Sequence, residues 1–325
     1  AASDVYKRQI KMCEKSMGNK IKESLKNGDF VFKARRRLHR CLPVFYVRNR
    51  DIQNDNYMAN TYLKLEKKYR YIIKNDMVDD LKEQKRSNKV WICWFQGYDQ
   101  APELVKCTIS SVKKHMPDRD IIILTDKNIY QYAKFPKSII AKRKAGKISA
   151  AHFSDLLRVE LLCRYGGIWI DATVLCTSDN IPSYITETDL FVYKSLKLGG
   201  KNLAPTICSS WLIAAKSNNP ILLLTRKLLW KYWEDYSILC DYFLFHIFLA
   251  MSARKYADLW EKIPFFNNVS PHVLGSELSK TYNEERWKQI CEMSVFHKLD
   301  HHMDYTQGQG TFYQHIKEVY LIDAK

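Results

Sequence analysis

The sequence predicts an α/β fold built on a parallel sheet and preceded by a basic, mainly helical segment. Two short apolar runs, Val90-Trp91-Ile92-Cys93-Trp94-Phe95 and Asp120-Ile121-Ile122-Ile123-Leu124-Thr125-Asp126, flank a helical stretch. That is the strand-helix-strand order of a crossover unit, and an unbroken apolar run suits a strand covered on both faces. A third run, Ile168-Trp169-Ile170, follows a helical periodicity from Ile148 to Arg164 that Gly166-Gly167 closes. With 325 residues, 46% apolar and 27% charged, the chain has enough material for a full core.

Residues 1–9 open without an initiator Met and read as translated adapter sequence foreign to the fold. Residues 1–88 then form a basic helical extension, with Arg35, Arg36, Arg37 and Arg40 clustered ahead of Pro43 and a second periodic run from Tyr57 to Leu81. Residues 1–90 hold 23 Lys and Arg against 11 Asp and Glu, so most of the formal charge of +17 lies in the front quarter. Such asymmetry suits nucleic acid, an anionic membrane surface or plain solvation. A basic arm with interspersed aromatics could lie on acidic headgroups.

The pattern changes at Lys89, where the α/β domain, residues 89–325, begins. Pro102 opens a helix running to about His115, Asn219-Pro220 starts a long one, and Asp241 precedes another through Met251. The tail from Trp287 to Tyr320 contains a loop rich in His, Gly and Gln. The best apolar run, Tyr242 to Met251, is far shorter than a bilayer span and is broken by His246. No apolar signal region opens the chain. Nine scattered cysteines without a C-x-x-C pair indicate reduced thiols and no structural zinc. The expected location is therefore cytoplasmic, peripheral to the membrane if the basic arm binds lipid.

The chemistry concentrates in the centre of the chain. Asp155 and Arg158 are three apart on a helix and share a face. Charges on an otherwise apolar helix need partners, which they find in each other or in a ligand. Asp171 lies at the carboxyl end of the third strand, where ligands bind in open α/β sheets. Asp126, ending the second strand, either meets a ligand or caps the segment starting at Asn128. Asp241 caps a helix or contacts an acceptor hydroxyl. Glu234-Asp235 reads as a solvated helix face, and His301-His302 has the wrong spacing for one helix face.

Ser154-Asp155-Leu156-Leu157-Arg158 with Tyr165-Gly166-Gly167-Ile168-Trp169-Ile170-Asp171-Ala172-Thr173 resembles the sugar-nucleotide signature of the capsular polysaccharide synthesis proteins. These are similar to glycosyltransferase family 32 and, more distantly, to the large glucosylating bacterial toxins. In that signature an Asp stands three residues before an Arg and sixteen before the first Asp of an Asp-x-Asp motif, the spacing of Asp155, Arg158 and Asp171 here. The resemblance covers about residues 89–315. It implies a GT-A-like, Rossmann-type nucleotide-sugar-binding fold and retaining transfer of a sugar from a nucleotide donor, UDP-linked, to a glycan or lipid-linked glycan acceptor in capsular or cell-surface polysaccharide synthesis.

The resemblance also implies roles. Asp155 and Arg158 would bind donor hydroxyls and phosphate, and Asp171 would hold ribose or sugar and help position a divalent cation, Mn or Mg. Trp94, followed by Gln96 and Gly97, resembles the element that stacks an aromatic ring on the nucleotide base, although strand aromatics are as often core. Gly167 joins the donor-binding set as part of the signature. Position 173 departs from the pattern, since the second Asp is Thr173, a weaker oxygen ligand. Either Thr173 coordinates through its hydroxyl or water, or another residue completes the set. His297 is the candidate, with Lys298 beside it on the diphosphate. Two alternatives stand beside the enzyme: a basic nucleic-acid-binding protein, disfavoured because the excess charge lies outside the strand-helix core and no RRM-type aromatic string is present, and an inactive sugar-nucleotide-binding module.

Overall fold

The computed structural model describes residues 50–77, 83–196, 206–305 and 308–321. The clustered arginines of the basic arm lie outside these residues. The first described element is the helix α1 (Arg50–Asn75). The crossover unit follows as β1 (Lys89–Cys93), α2 (Glu103–His115) and β2 (Asp120–Leu124). Two short helices, α3 (Ile129–Tyr132) and α4 (Lys137–Lys144), lead to α5 (Ala150–Tyr165). Next come β3 (Gly167–Ile170), β4 (Val174–Cys176), α6 (Ser183–Thr186), β5 (Leu190–Lys194) and β6 (Cys208–Ala215). The remainder is α7 (Pro220–Asp235), α8 (Leu244–Lys255), α9 (Ala257–Glu261), α10 (Glu284–Met293), β7 (Phe296–Lys298) and α11 (Phe312–Leu321).

The central sheet has the order β2-β1-β3-β6-β5. β1 pairs parallel with β2 and β3, as expected, but β6 runs antiparallel to both β3 and β5, so the sheet is mixed. Apolar runs specify burial on both faces, not strand direction, and this is why the reversed direction of β6 escapes a reading of the pattern. The strand pleat sorts side chains to two sides. Trp91, Ile122, Leu124, Trp169, Ile213 and Val192 face the layer formed by α1, α5, α7 and α8. Val90, Ile92, Ile168, Ile170, Leu212 and Ala214 face the opposite layer with α2 and β4.

The principal helices begin and end for local reasons. Ser149 caps α5 by accepting from the His152 amide, and Asn219 caps α7 by accepting from Ile221 and Leu222, with Pro220 preset for the first turn. Gly166 ends α5 at φ 69°, and Gly167 follows at φ 96°. A Cβ on Gly167 would lie 2.3 Å from the Lys89 carbonyl oxygen, so only glycine lets β3 lie this close to β1.

α1 is more than a solvated arm. Met58, Leu65, Tyr69 and Ile72 recur at helical spacing and are buried in the main cluster beside α7 and α8. The segments before and after Lys89 therefore share one core. Asp235, expected on a solvated face, takes ion pairs from Lys68 at 3.1 Å and Lys231 at 3.0 Å and a hydrogen bond from the Tyr69 hydroxyl at 3.2 Å. All seven cysteines among the described residues are free thiols. Among the described residues, no helix is long and apolar enough to cross a membrane.

Candidate active site

β3 ends at Ile170, and the chain turns at once. The Asp171 amide donates to the Trp211 carbonyl at 2.8 Å, extending the β3–β6 ladder by one rung, while the Asp171 carbonyl accepts from Val174 at 3.0 Å. Thr108 Oγ1 donates to the Ala172 carbonyl at 2.6 Å, and the Leu299 amide donates to the Thr173 carbonyl at 2.9 Å. The backbone of residues 171–173 is thus pinned by three bonds to other backbone groups and one from the Thr108 hydroxyl.

Strand alternation then aims Asp171 at α5. Trp169, two residues earlier on the same face, donates its indole Nε1–H to Asp171 Oδ1 at 2.8 Å. Arg158 from α5 donates Nη2–H to the same oxygen at 2.9 Å and Nη1–H to Asp155 Oδ1. One guanidinium, 4% exposed, therefore bridges a helix carboxylate and a strand-end carboxylate. Its plane lies against aromatics, with the guanidinium carbon 5.0 Å from the Trp169 ring and 5.5 Å from the Phe245 ring. Of the two readings left open for Asp155 and Arg158, their mutual ion pair is present, and it reaches on to Asp171.

Burial opposes ionisation of Asp155, but the Arg158 charge, with His152 and His246 adding to it, holds the carboxyl below its ordinary range. Burial likewise weakens the Arg158 charge, and Asp171 and Asp155 more than restore it. His152, one turn before Asp155, brings Nδ1 to 3.5 Å from Asp155 Oδ2. His246 on α8 is driven down to about 4 by burial, with Asp155, Arg158 and Asp171 acting on it. At neutral pH Asp155 and Arg158 are both charged and this neighbouring imidazole is neutral.

The carboxyl ends of the three parallel strands bring charged side chains together. Cys93, the last residue of β1, feels Arg143 and Asp126 from the β2 side and Asp171 and Arg158 from the β3 side, and burial raises its thiol above the ordinary range. Asp126 pairs with Arg143, and the N-cap position of the helix after it belongs to Asn128, whose Oδ1 accepts from the preceding Thr125 amide at 2.8 Å rather than from the helix. Asp126 is thus not the cap. Trp94 is partly buried, its ring edge-on to His301 with centroids 5.3 Å apart, and its buried indole N–H has no hydrogen-bond partner among the described residues. Gln96 and Gly97 follow in the loop leaving β1, with Gly97 at φ 90° and its amide bonded back to the Trp94 carbonyl at 2.9 Å.

The remaining residues divide. Lys298 on β7 donates to Thr173 Oγ1 and stands 3.6 Å from Asp171 Oδ2, so both enter the site. Its neighbour His297 does not. Adjacent strand residues face opposite ways, and His297 is fully buried with Nε2 3.3 Å from Thr177 Oγ1. Burial, partly countered by the Ser294 backbone, brings it down to about 4. The Asp241 carboxylate accepts from the Phe243 amide at 2.8 Å in the turn leading into α8. Gly167 lies at the amino end of β3, away from Asp171, and its identity is explained by the approach of Lys89.

A divalent site of the expected kind does not fit these residues. Thr173 has its hydroxyl engaged by an ammonium, His297 faces away, and Asp171 Oδ1 is taken by Arg158 and Trp169. Among the described residues, the one group of three His or acidic side chains with converging donor atoms is Asp300, His301 and His302, within 4.8 Å of one another on the loop after β7.

Sequence reasoning missed four neighbours. Trp169 and His152 were within reach of it, the first by strand period two and the second by helical spacing. His246 and Tyr242 carry no local signal. The Tyr242 ring is exposed, yet burial and then the Asp155 and Asp171 charges raise its hydroxyl.

A stretch is 34% identical over 92 residues to an O-glycosyltransferase, braB, of Annulohypoxylon truncatum, covering 26% of this chain and 22% of the relative's length. The solved structure of the PaToxG glycosyltransferase aligns with 64% of this chain and 83% of its own, at 14% identity and a TM-score of 0.38. Residues 42–316 match the family described as capsular polysaccharide synthesis protein. The chain belongs to the capsular polysaccharide synthesis protein family.

Proposed function

We propose that this chain is a glycosyltransferase of GT-A-like fold that moves a sugar from a nucleotide donor, UDP-linked, to a glycan or lipid-linked glycan acceptor in cell-surface polysaccharide synthesis. The observation that carries the reading is the bridge from Asp155 through Arg158 to Asp171 at the carboxyl ends of the parallel strands. Family membership and the name of the partial relative support it.

The bridge suits the chemistry. A sugar nucleotide presents hydroxyls, which carboxylates accept from, beside a diphosphate, which cations neutralise. Asp155 and Asp171 supply the first, and Arg158 and Lys298 the second. In the transfer, the bond from the anomeric carbon to the diphosphate oxygen breaks with its electron pair staying on that oxygen. The acceptor hydroxyl oxygen bonds to the carbon on the same face, giving the retention that the family resemblance implies, and its proton passes to the departing diphosphate. Fixed dipoles and charges do the work here, because they are already oriented when the leaving group gains charge. Trp94 stacks on the base.

Turnover of a panel of UDP-, GDP- and dTDP-sugars by the purified chain tests the reading. The expected result is hydrolysis or transfer with at least one donor. No turnover and no binding across the panel would remove it.

A further inference from the structure

We propose that the Lys298 ammonium is the resident cation of this site, and that the chain binds and releases a nucleoside diphosphate without a divalent metal. This inference rests on the nucleotide-sugar reading above and names the group that meets its diphosphate.

The positions are set by pairing across the chain. Val174 is registered against Lys298 in the β4–β7 ladder, and the Leu299 amide holds the Thr173 carbonyl at 2.9 Å. This fixes the lysine backbone beside the turn that carries Asp171. Its side chain then donates to Thr173 Oγ1 and lies 3.6 Å from Asp171 Oδ2. The two oxygens that a metal in an Asp-x-Asp arrangement would draw upon are both turned to one ammonium. The lysine side chain is 24% exposed, so it is partly accessible to solvent yet held in place by these two oxygens.

The charge count agrees. Arg158 and Lys298 face Asp155 and Asp171, two cations against two carboxylates, and the cluster is neutral as it stands. A carboxylate at position 173 with no ammonium nearby would leave one guanidinium against three carboxylates, a deficit of two charges that a divalent ion cancels. Threonine at 173 together with lysine at 298 supplies the same two units from the chain itself. A permanent cation also meets the chemical need. When the bond from the anomeric carbon to oxygen breaks and the pair remains on the diphosphate, the new negative charge forms beside a positive group already in place.

The test is calorimetric binding of UDP and GDP to the full chain, in EDTA and in Mn²⁺, with turnover of the best sugar nucleotide in the same buffers. The expected result is a Kd in EDTA within about threefold of that in Mn²⁺, turnover that survives EDTA, and a loss of about tenfold or more in affinity for Lys298→Met that Mn²⁺ does not restore. Binding or turnover that appears only with Mn²⁺ overturns the inference while the glycosyltransferase reading stands. In that case, loss of the Mn²⁺-supported binding in His302→Ala would place the cation on the loop after β7 instead. Lys298→Met binding UDP as the unaltered chain does also overturns it. If neither UDP nor GDP binds in either buffer, the nucleotide reading fails first and the inference with it.

Discussion

Replacing Arg158 with lysine probes the site at its narrowest point. The guanidinium uses separate nitrogens for two carboxylates on different elements, Nη1 for Asp155 on α5 and Nη2 for Asp171 after β3. A lysine ammonium keeps the charge but is a point donor on a flexible stem, so it serves one carboxylate at a time. The lost contact is a charge-assisted hydrogen bond at a buried group, about 1.5–3 kcal/mol. The unfolding entropy of a chain this size is roughly 0.7 kcal/mol/K, so the midpoint should fall by about 2–4 °C. Donor turnover should fall further, by about 100-fold or more, equivalent to about 2.7 kcal/mol of transition-state stabilisation, because the released carboxylate no longer holds its angle. Differential scanning calorimetry and a sugar-nucleotide turnover assay on the same preparation read both numbers. Unchanged midpoint and unchanged turnover would refute the bridge as an organising contact. A lowered midpoint with full turnover would reduce it to a structural ion pair.

Two further outcomes follow from the geometry. His297 titrates near 4 in the fold against 6.5 for an ordinary imidazole, so the unfolded chain binds more protons between those values and stability falls as pH drops through that window. His297→Asn should flatten the fall by about one proton, roughly 1.4 kcal/mol per pH unit, in denaturant titrations from pH 7 to 4.5; an unaltered slope would mean the imidazole is already charged or solvated. Gly167→Ala should cost more than about 3 kcal/mol or abolish soluble expression, because the new Cβ meets the Lys89 carbonyl at 2.3 Å in a backbone with φ 96°, and a stable variant would mean that β1 and β3 are more loosely paired than described.

Much of the site was legible because its determinants are local. Asp155 and Arg158 share a helix face by spacing alone, and Trp169 and Asp171 share a strand face by alternation. The link between the two elements is short, since only Gly166 separates α5 from β3. What escaped depends on contacts between distant parts of the chain. Nothing near Val295-Phe296-His297-Lys298 announces a strand pairing with Val174–Cys176, and without that strand the opposite orientations of His297 and Lys298 cannot be assigned. Both were placed at the site, and period two admits only one of them. The same holds for α1, where the excess of lysine and arginine drew attention from the apolar stripe of Met58, Leu65, Tyr69 and Ile72. The clustered arginines before Pro43 lie outside the described residues, so the lipid-surface proposal for residues 10–88 rests on charge alone.

The most direct measurement is sugar-nucleotide turnover by Asp171→Asn beside the unaltered chain, with far-UV circular dichroism recorded on both. Asparagine keeps the shape and can still accept from Trp169, but it removes the negative charge that Arg158 and Lys298 face. The account predicts a native spectrum with turnover lowered by about 100-fold or more. Equal turnover in the two proteins would contradict it.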